Sequence, residues 1–510
     1  MSLSCRFFIM NQKTKIFNYL PSVVLALSLA VIYLKSMAPG LTWANDGADG
    51  GDFITAAFTG GVAHPTGYPV YLSLARLFQL LPVGTLAFRT NLMSATAAVI
   101  AVLVMHAIVI RSFPGAGCNR ISSLVAAYAF GLSPLFWSQA VITEVYTLHA
   151  LFVALLLYLS SVDSPMGLGA KARDRISGLT LGLALGNHLT SILLLPLLGN
   201  GLFQRAHANG GDQASAGWRP ALDSVIRRSL WCGVGLSAYA ILPIRALANA
   251  PVNWGNPLTL ERFGWLVSGR LYQEEIFALT PSFLWSRVRA AAGLLIEQFG
   301  IPGLVLGLIG VIVFYRPSRL YLFTLWIFTA FTIFAIIYST HDSFMYLIPA
   351  YLCFAIWIGA GLDGLLFMLP QHLQRIAPTV SLLVLSYFFI LAGSHWRGVD
   401  ASHDLRAEEF GTQVMAQSPE NAIVFANGDK ALFTAWYFHF ALGQRPDLVV
   451  VSTGLLPFDW YQETLRSTYP GLILPGPFPF AEQMIFLNPA RPVCYIEYTQ
   501  MADIQCESGD

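Results

Sequence analysis

Apolar residues along this chain gather in long unbroken runs, with charged and turn-forming residues confined to the gaps between them. A hydrocarbon core about 30 Å thick needs roughly 20 apolar residues per helix, and about eleven runs meet or approach that length. They centre on Phe17–Ser36, Phe88–Ile110, Ile121–Trp137, Tyr146–Ser161, Ile176–Asn187, Leu189–Phe203, Leu230–Leu247, Leu294–Tyr315, Leu320–Tyr338, Phe344–Met368 and Ala377–Ala392. The short fifth and sixth runs read equally well as the two limbs of one broken hairpin. The pattern predicts an all-α polytopic membrane bundle.

Two stretches depart from it. Between the first two runs, "NDGADGGDFITAAFTGGVAHPTGYPVY" (Asn45–Tyr71) is polar and rich in glycine, which permits sharp backbone turns. "DFITAAF" predicts a short helix starting at Asp52. "YPVYLSLARLFQLLP" predicts a second, with Ser73, Arg76 and Gln79 in one row and apolar residues elsewhere, the pattern of a helix lying along a membrane surface. From His395 onward the polarity is ordinary. "NAIVFANGDK" and "RPDLVVVSTG" read as strands ending in turns, and "ALFTAWYFHFALG" and "DWYQETLRSTY" as helices. The expected organisation is a bundle over residues 1–394 and a small α/β domain over 395–510.

Composition agrees with the pattern. Of 510 residues 55% are hydrophobic and 11% charged, against roughly a quarter charged in soluble domains. The 29 basic and 28 acidic residues nearly cancel, so no net basicity points to nucleic acid. Lys and Arg favour cytoplasmic loops. Lys13 and Lys15, Arg111 and Arg120, Lys171, Arg173 and Arg175, Arg205, Arg219, Arg227 and Arg228, Arg316 and Arg319, and Arg375 fall in alternate gaps. This places the N-terminus in the cytoplasm. Residues 39–87, 248–290 and the C-terminal domain then lie outside. The first run is long for a signal peptide and is expected to be retained, and "AHANGGDQASAG" near residue 210 reads as a cytoplasmic loop. No cysteine spacing suits a metal site; Cys494 and Cys506 are close enough in sequence to pair if the tail is external, and equally readable as unpaired.

The polar stretch carries the chemistry. Asp49, Asp52 and His64 concentrate carboxylates and an imidazole beside a bilayer, where each needs a reason. For Asp52 alone, capping the helix of "DFITAAF" is a competing reason. The segments "GADGGDFITAAFTGGVAHPTGYPVYLSLARLFQLLP", "TNLMSA", "FWSQAVITEVYTLHALF", "GLALGNHLT" and "LPIRALANAPVNWGNPLTLERFGWLV" resemble, in this order over roughly residues 40–345, a family of multi-spanning proteins. That family, once known only as a domain of unknown function, includes protein O-mannosyltransferase-like members and is classed with the GT-C glycosyltransferases. "GD", "RPD" and "DWY" in the tail are similar to its C-terminal region.

The resemblance implies an inverting transfer of a sugar, mannose by analogy, from a polyprenyl phosphate to a hydroxyl on a protein or envelope glycan. It implies an acidic catalytic residue in the first external loop. Asp49-Gly50-Gly51-Asp52 stands where the family resembles Asp-Ser-Gly-Glu, and Thr66 replaces a second proline. Transfer needs a base for the acceptor proton and cations for the departing phosphate. Asp49 or Asp52 is the expected base, Asp49 the preferred one, with Asp52 orienting the acceptor. Arg245, His188 and Arg89 are the expected phosphate partners, although Arg245 at a helix end also suits snorkelling. His64, Tyr68, Glu144, Tyr146, Trp254, Asn256 and Asp342 are expected around the substrate, with a structural clamp for Glu144 and an interfacial anchor for Trp254 as alternatives. No metal site is expected, with a divalent cation held by the second of the two carboxylates as the alternative. A transporter should show internal repeats and charges near mid-membrane; a non-catalytic envelope-assembly scaffold would not need both carboxylates. A bacterial inner membrane is the expected setting.

Overall fold

The computed structural model describes residues 12–112, 119–162, 165–199, 218–276, 278–313, 318–476 and 481–507; Arg205, Arg316 and the stretch near residue 210 lie outside these. Helix α1 (Gln12–Ser36) leads into a long loop carrying α2 (Gly50–Thr59) and α3 (Pro69–Gln79). Then come α4 (Leu86–Ser112), α5 (Asn119–Gly131), α6 (Pro134–Ala140), α7 (Tyr146–Ser161) and α8 (Ala170–Asn187), followed by a 3₁₀ segment over Leu189–Gly199. A second long loop, with α11 (Leu260–Val267), follows α9 (Arg219–Leu236) and α10 (Ile241–Leu247). The bundle closes with α12 (Pro281–Val313), α13 (Arg319–Ile337), α14 (Ile348–Phe367) and α15 (Ala377–Val399).

The polytopic bundle is as expected, but its runs are not all single spans. Among the described residues seven helices are long and apolar enough to cross a membrane, or eight if the bent α5–α6 pair is one span. That pair was expected as one helix, Ile121–Trp137. A proline disfavours helical geometry in the residue before it, and Ser133, ahead of Pro134, is extended (φ −64°, ψ 133°), so the chain turns by 68°. The fifth and sixth runs separate at His188, also extended. Helices α8 and α9 approach closely: a Cβ on Gly235 would lie 2.8 Å from the Cα of Gly182, the small-residue contact typical of membrane bundles.

Helix α3 differs from its expected role. Its polar row is not a water-facing stripe, because Gln79 is buried and donates to the Ile54 carbonyl at 3.0 Å, and Arg76 lies over the Phe58 ring.

The C-terminal region is the small α/β unit expected from its alternation. It comprises α16 (Arg406–Gln417), β1 (Ile423–Asn427), α17 (Asp429–Trp436), β2 (Val449–Ser452), α18 (Asp459–Thr468), α19 (Ala481–Leu487), β3 (Val493–Tyr498) and β4 (Ala502–Glu507). Sheet order is β2-β1-β3-β4, with β1 parallel to β2 and β3, and β4 antiparallel to β3. Cys494 and Cys506 face each other across the last pair and are bridged.

This unit grips the first loop. Asp404 Oδ2 accepts from Thr42 Oγ1 (2.6 Å), Trp43 N (3.0 Å) and Ala44 N (2.8 Å), and Glu408 Oε1 from Leu41 N (2.8 Å). A Cβ on Gly51 would sit 2.5 Å from the Phe433 carbonyl oxygen, so α2 and α17 meet flush and only glycine fits there.

Candidate active site

The loop after α1 turns sharply to deliver its carboxylates. Asn45 and Asp46 take positive φ (56° and 62°), a conformation Asn and Asp tolerate better than most residues, and the Asn45 amide donates to the Val399 carbonyl at 2.9 Å. Asp49 then occupies the position before α2 without capping it.

Asp52 does not cap either. It is fully buried, and its Oδ2 accepts the His64 backbone N–H at 2.9 Å and meets the His64 ring Nδ1 at 2.7 Å. Oδ1 accepts from the Trp254 indole at 3.1 Å. With both oxygens so engaged and no exposed surface, Asp52 holds His64 rather than the acceptor. His64 in turn presents Nε2 to Asp49 Oδ2 at 3.6 Å. The result is a row, Asp52–His64–Asp49, whose last member is open, its side chain 41% exposed.

Charge follows from that row. Burial works against the His64 cation, but Asp49 and the hydrogen bond and charge of Asp52 outweigh it and push the imidazole up to about 9. Asp49 is pushed up to about 6 by its position deep within the protein; His64 opposes the rise while Asp429, Asp52 and Asp342 add to it. Its exposed surface faces a cavity, so it keeps access to a ligand while lacking bulk solvation.

That cavity has a volume of about 600 Å³. Asp46, Asp49, Glu144, Asp342 and Asp429 line it with carboxyl groups, Tyr68, Tyr146, Tyr272 and Tyr346 with phenols, and Ile192, Leu193, Ile276 and Phe334 form an apolar side. Tyr146 donates to Asp342 Oδ2 at 3.1 Å. Burial, reinforced by Asp49, drives the Glu144 carboxyl well above the usual range. His188 pairs through Nδ1 with Thr190 Oγ1 at 2.7 Å. Burial pulls its imidazole down to about 4 against the influence of Asp342, so at neutral pH it offers a hydrogen bond and not a charge.

Of the residues singled out in the sequence, the structure brings Asp49, His64, Tyr68, Glu144, Tyr146, His188 and Asp342 to this cavity. Asp52 and Trp254 stand behind it. Three others lie elsewhere. Arg89 donates to the carbonyls of Gln79, Val83 and Gly84 and ties the turn after α3. Arg245 donates to the Gly61 carbonyl at 3.1 Å. Asn256 donates to Glu463, which Arg262 also binds through both terminal nitrogens. Asp429 and Lys430, which line the cavity from the start of α17, were not among the expected site residues. Their signal was "NGDK" at the carboxyl end of a parallel strand, where open α/β sheets bind ligands.

A bent-helix bundle with an acidic first loop over a cavity, closed by a small α/β unit, defines a multi-pass membrane protein with a GT-C-like fold. Among the solved structures that share this fold are two of ArnT from Cupriavidus metallidurans. With undecaprenyl phosphate bound, the TM-score is 0.59 at 13% identity, over 93% of this chain and 92% of that one. In the apo state it is 0.58, with the same identity and coverage.

In sequence, the chain is similar to proteins named protein O-mannosyl-transferase TMEM260. Residues 49–210 match the family model described as the protein O-mannosyl-transferase TMEM260 N-terminal domain, and 407–477 the TMEM260-associated domain 2. Protein O-mannosyl-transferase TMEM260 of Mus musculus is 27% identical over 487 residues, 89% of this chain. The Dictyostelium discoideum protein of that name is 24% identical over 530, 91% of this chain. The chain spans 65% and 62% of the lengths of these two relatives.

Proposed function

We propose that this protein transfers a sugar, mannose by analogy with its relatives, from a polyprenyl-phosphate donor to a hydroxyl of a protein acceptor. The observation that carries the reading is Asp49, open to the cavity at the end of a buried Asp52–His64 pair. In the reaction the acceptor hydroxyl loses its proton to the Asp49 carboxylate, and its oxygen attacks the anomeric carbon. The bond from that carbon to the phosphate oxygen breaks on the opposite face, inverting the centre, and polyprenyl phosphate leaves. Glu144, buried and with its carboxyl pushed up by that burial, and the Tyr146–Asp342 pair are placed to hold sugar hydroxyls. The apolar side formed by Ile192, Leu193, Ile276 and Phe334 suits the first isoprene units of the donor. The names of the two relatives and the lipid bound by the ArnT neighbour support both substrates.

The alternation of Lys and Arg supports a cavity on the extracytoplasmic side, with the N-terminus in the cytoplasm, and the short loops suit a bacterial inner membrane. The test is transfer itself. The full chain, in lipid nanodiscs with polyprenyl-phosphate mannose, should release polyprenyl phosphate when a hydroxyl-bearing acceptor is added and not in its absence. Equal release with and without acceptor would overturn the reading.

A further inference from the structure

The cavity presents a charge problem. Five carboxyl-bearing residues line it, whereas a departing phosphate monoester gains negative charge. Arg89 and Arg245, the expected phosphate partners, are committed to backbone carbonyls outside it. Among the described residues the one Lys or Arg in the cavity wall is Lys430, and it comes from the C-terminal unit.

Resting on the function proposed above, we propose that the C-terminal unit completes the catalytic centre and that Lys430 is the residue that binds the donor's phosphate. Lys430 follows Asp429 at the start of α17, at the carboxyl end of β1. Its ammonium lies 5.9 Å from the centre of the Trp43 ring and 6.0 Å from that of Tyr498. Aromatic faces steady a cation without neutralising it, and among the described residues it makes no ion pair. An ammonium so placed remains available to phosphate oxygens.

The placement is fixed relative to the base. Asp404 and Glu408 fasten the backbone of Leu41, Trp43 and Ala44, and Gly51 packs flush on Phe433 of α17, so Asp49 and Lys430 are carried by two surfaces locked together. As the anomeric bond breaks, its electron pair stays on the phosphate oxygen. The phosphate goes from one negative charge to two, and the Lys430 ammonium stabilises the added one. A role thereby falls to the region 407–477, matched as an associated domain.

The test measures binding of undecaprenyl phosphate and of undecaprenol to the full chain in nanodiscs, for the parent, Lys430→Gln and Lys430→Arg. Charged hydrogen bonds are worth enough to predict a roughly 10- to 100-fold weaker Kd for the phosphate in Lys430→Gln, near-parental binding in Lys430→Arg, and no change for undecaprenol. Should Lys430→Gln fail to fold, the parent gives the answer: undecaprenyl phosphate, unlike undecaprenol, should shield Lys430 from an amine-acylating reagent, read by peptide mass spectrometry. Unweakened binding in a folded Lys430→Gln, or acylation unaffected by the phosphate, overturns the assignment while leaving the transferase reading in place. A parent that binds both lipids alike defeats the transferase reading itself.

Discussion

Asp52 and His64 are joined twice through a single oxygen: Oδ2 of the aspartate takes the backbone N–H of the histidine at 2.9 Å and meets its ring Nδ1 at 2.7 Å. The double link fixes both the chain path and the ring. Asp52→Asn keeps the size but removes the charge that helps hold His64 protonated. The imidazole, raised to about 9 in the parent, should then titrate closer to the ordinary histidine range. Histidine-selective NMR, with His64→Gln to assign the signal, reads this directly; an unmoved titration would mean that Asp52 does not set the charge of the ring.

Asp49→Asn removes the proposed base while leaving the fold alone, since Asp49 caps nothing. Transfer should slow by about 10² to 10⁴ with donor binding retained. A base must shed its proton to act, so kcat/KM of the parent should rise with pH through about 6. His64 lowers the Asp49 pKa, so His64→Gln should shift that limb to higher pH. A parent rate independent of pH between about 5 and 7, or an Asn variant within a few-fold of the parent, rules out Asp49.

Asp404 accepts three hydrogen bonds from the first loop and is held down to about 2; burial raises it, but the bonds from Arg406 and Thr42 prevail. A depressed carboxylate stabilises the fold above its unfolded pKa, about 3.9, and loses that contribution as pH falls toward the folded value. Asp404→Asn should cost about 2 kcal/mol or more at neutral pH. Thermal unfolding in detergent should show the parent and variant converging as the pH drops from about 4 toward 2. A constant gap would place the stabilisation elsewhere.

Because Asp404 bonds to residues 42–44, the first loop and the C-terminal unit share one side of the membrane. With Cys5, Cys118, Cys232 and Cys353 replaced by alanine and the Cys494–Cys506 bridge kept, a cysteine at exposed Gln417 should react with an impermeant thiol reagent in intact spheroplasts. One at exposed Lys171 should not. The reverse labelling would invert the orientation.

Much of this was readable from residues alone, for identifiable reasons. An uninterrupted apolar run between polar residues has one sensible structure, and Tyr146–Ser161 matches its helix end for end. Acidic and aromatic residues at the mouths of such runs are costly without partners, which is why Asp49, Glu144, Tyr146 and Asp342 stood out. Arg89 and Arg245 stood out on the same ground but found their partners in backbone carbonyls, a satisfaction that depends on turns no local pattern encodes. Asp52 looked like a helix cap because capping is local, whereas its actual partners, His64 and Trp254, are brought to it by separate loops. Lys430 was hidden for the opposite reason: a lysine after a strand is commonplace until the fold sets it over a cavity.

The clasp between Asp404 and Thr42 joins residues 362 positions apart, which has a consequence in time. A ribosome adding about 5 to 20 residues per second leaves the first loop waiting roughly 20 to 70 s for its fastener. Through that interval Trp43, Gly51 and the carboxylates beside them lack the surface that shapes them. A chain interrupted before α17 would therefore have most of its helices made and one wall of the cavity missing. The first loop takes its final form only once the C-terminal unit has been made.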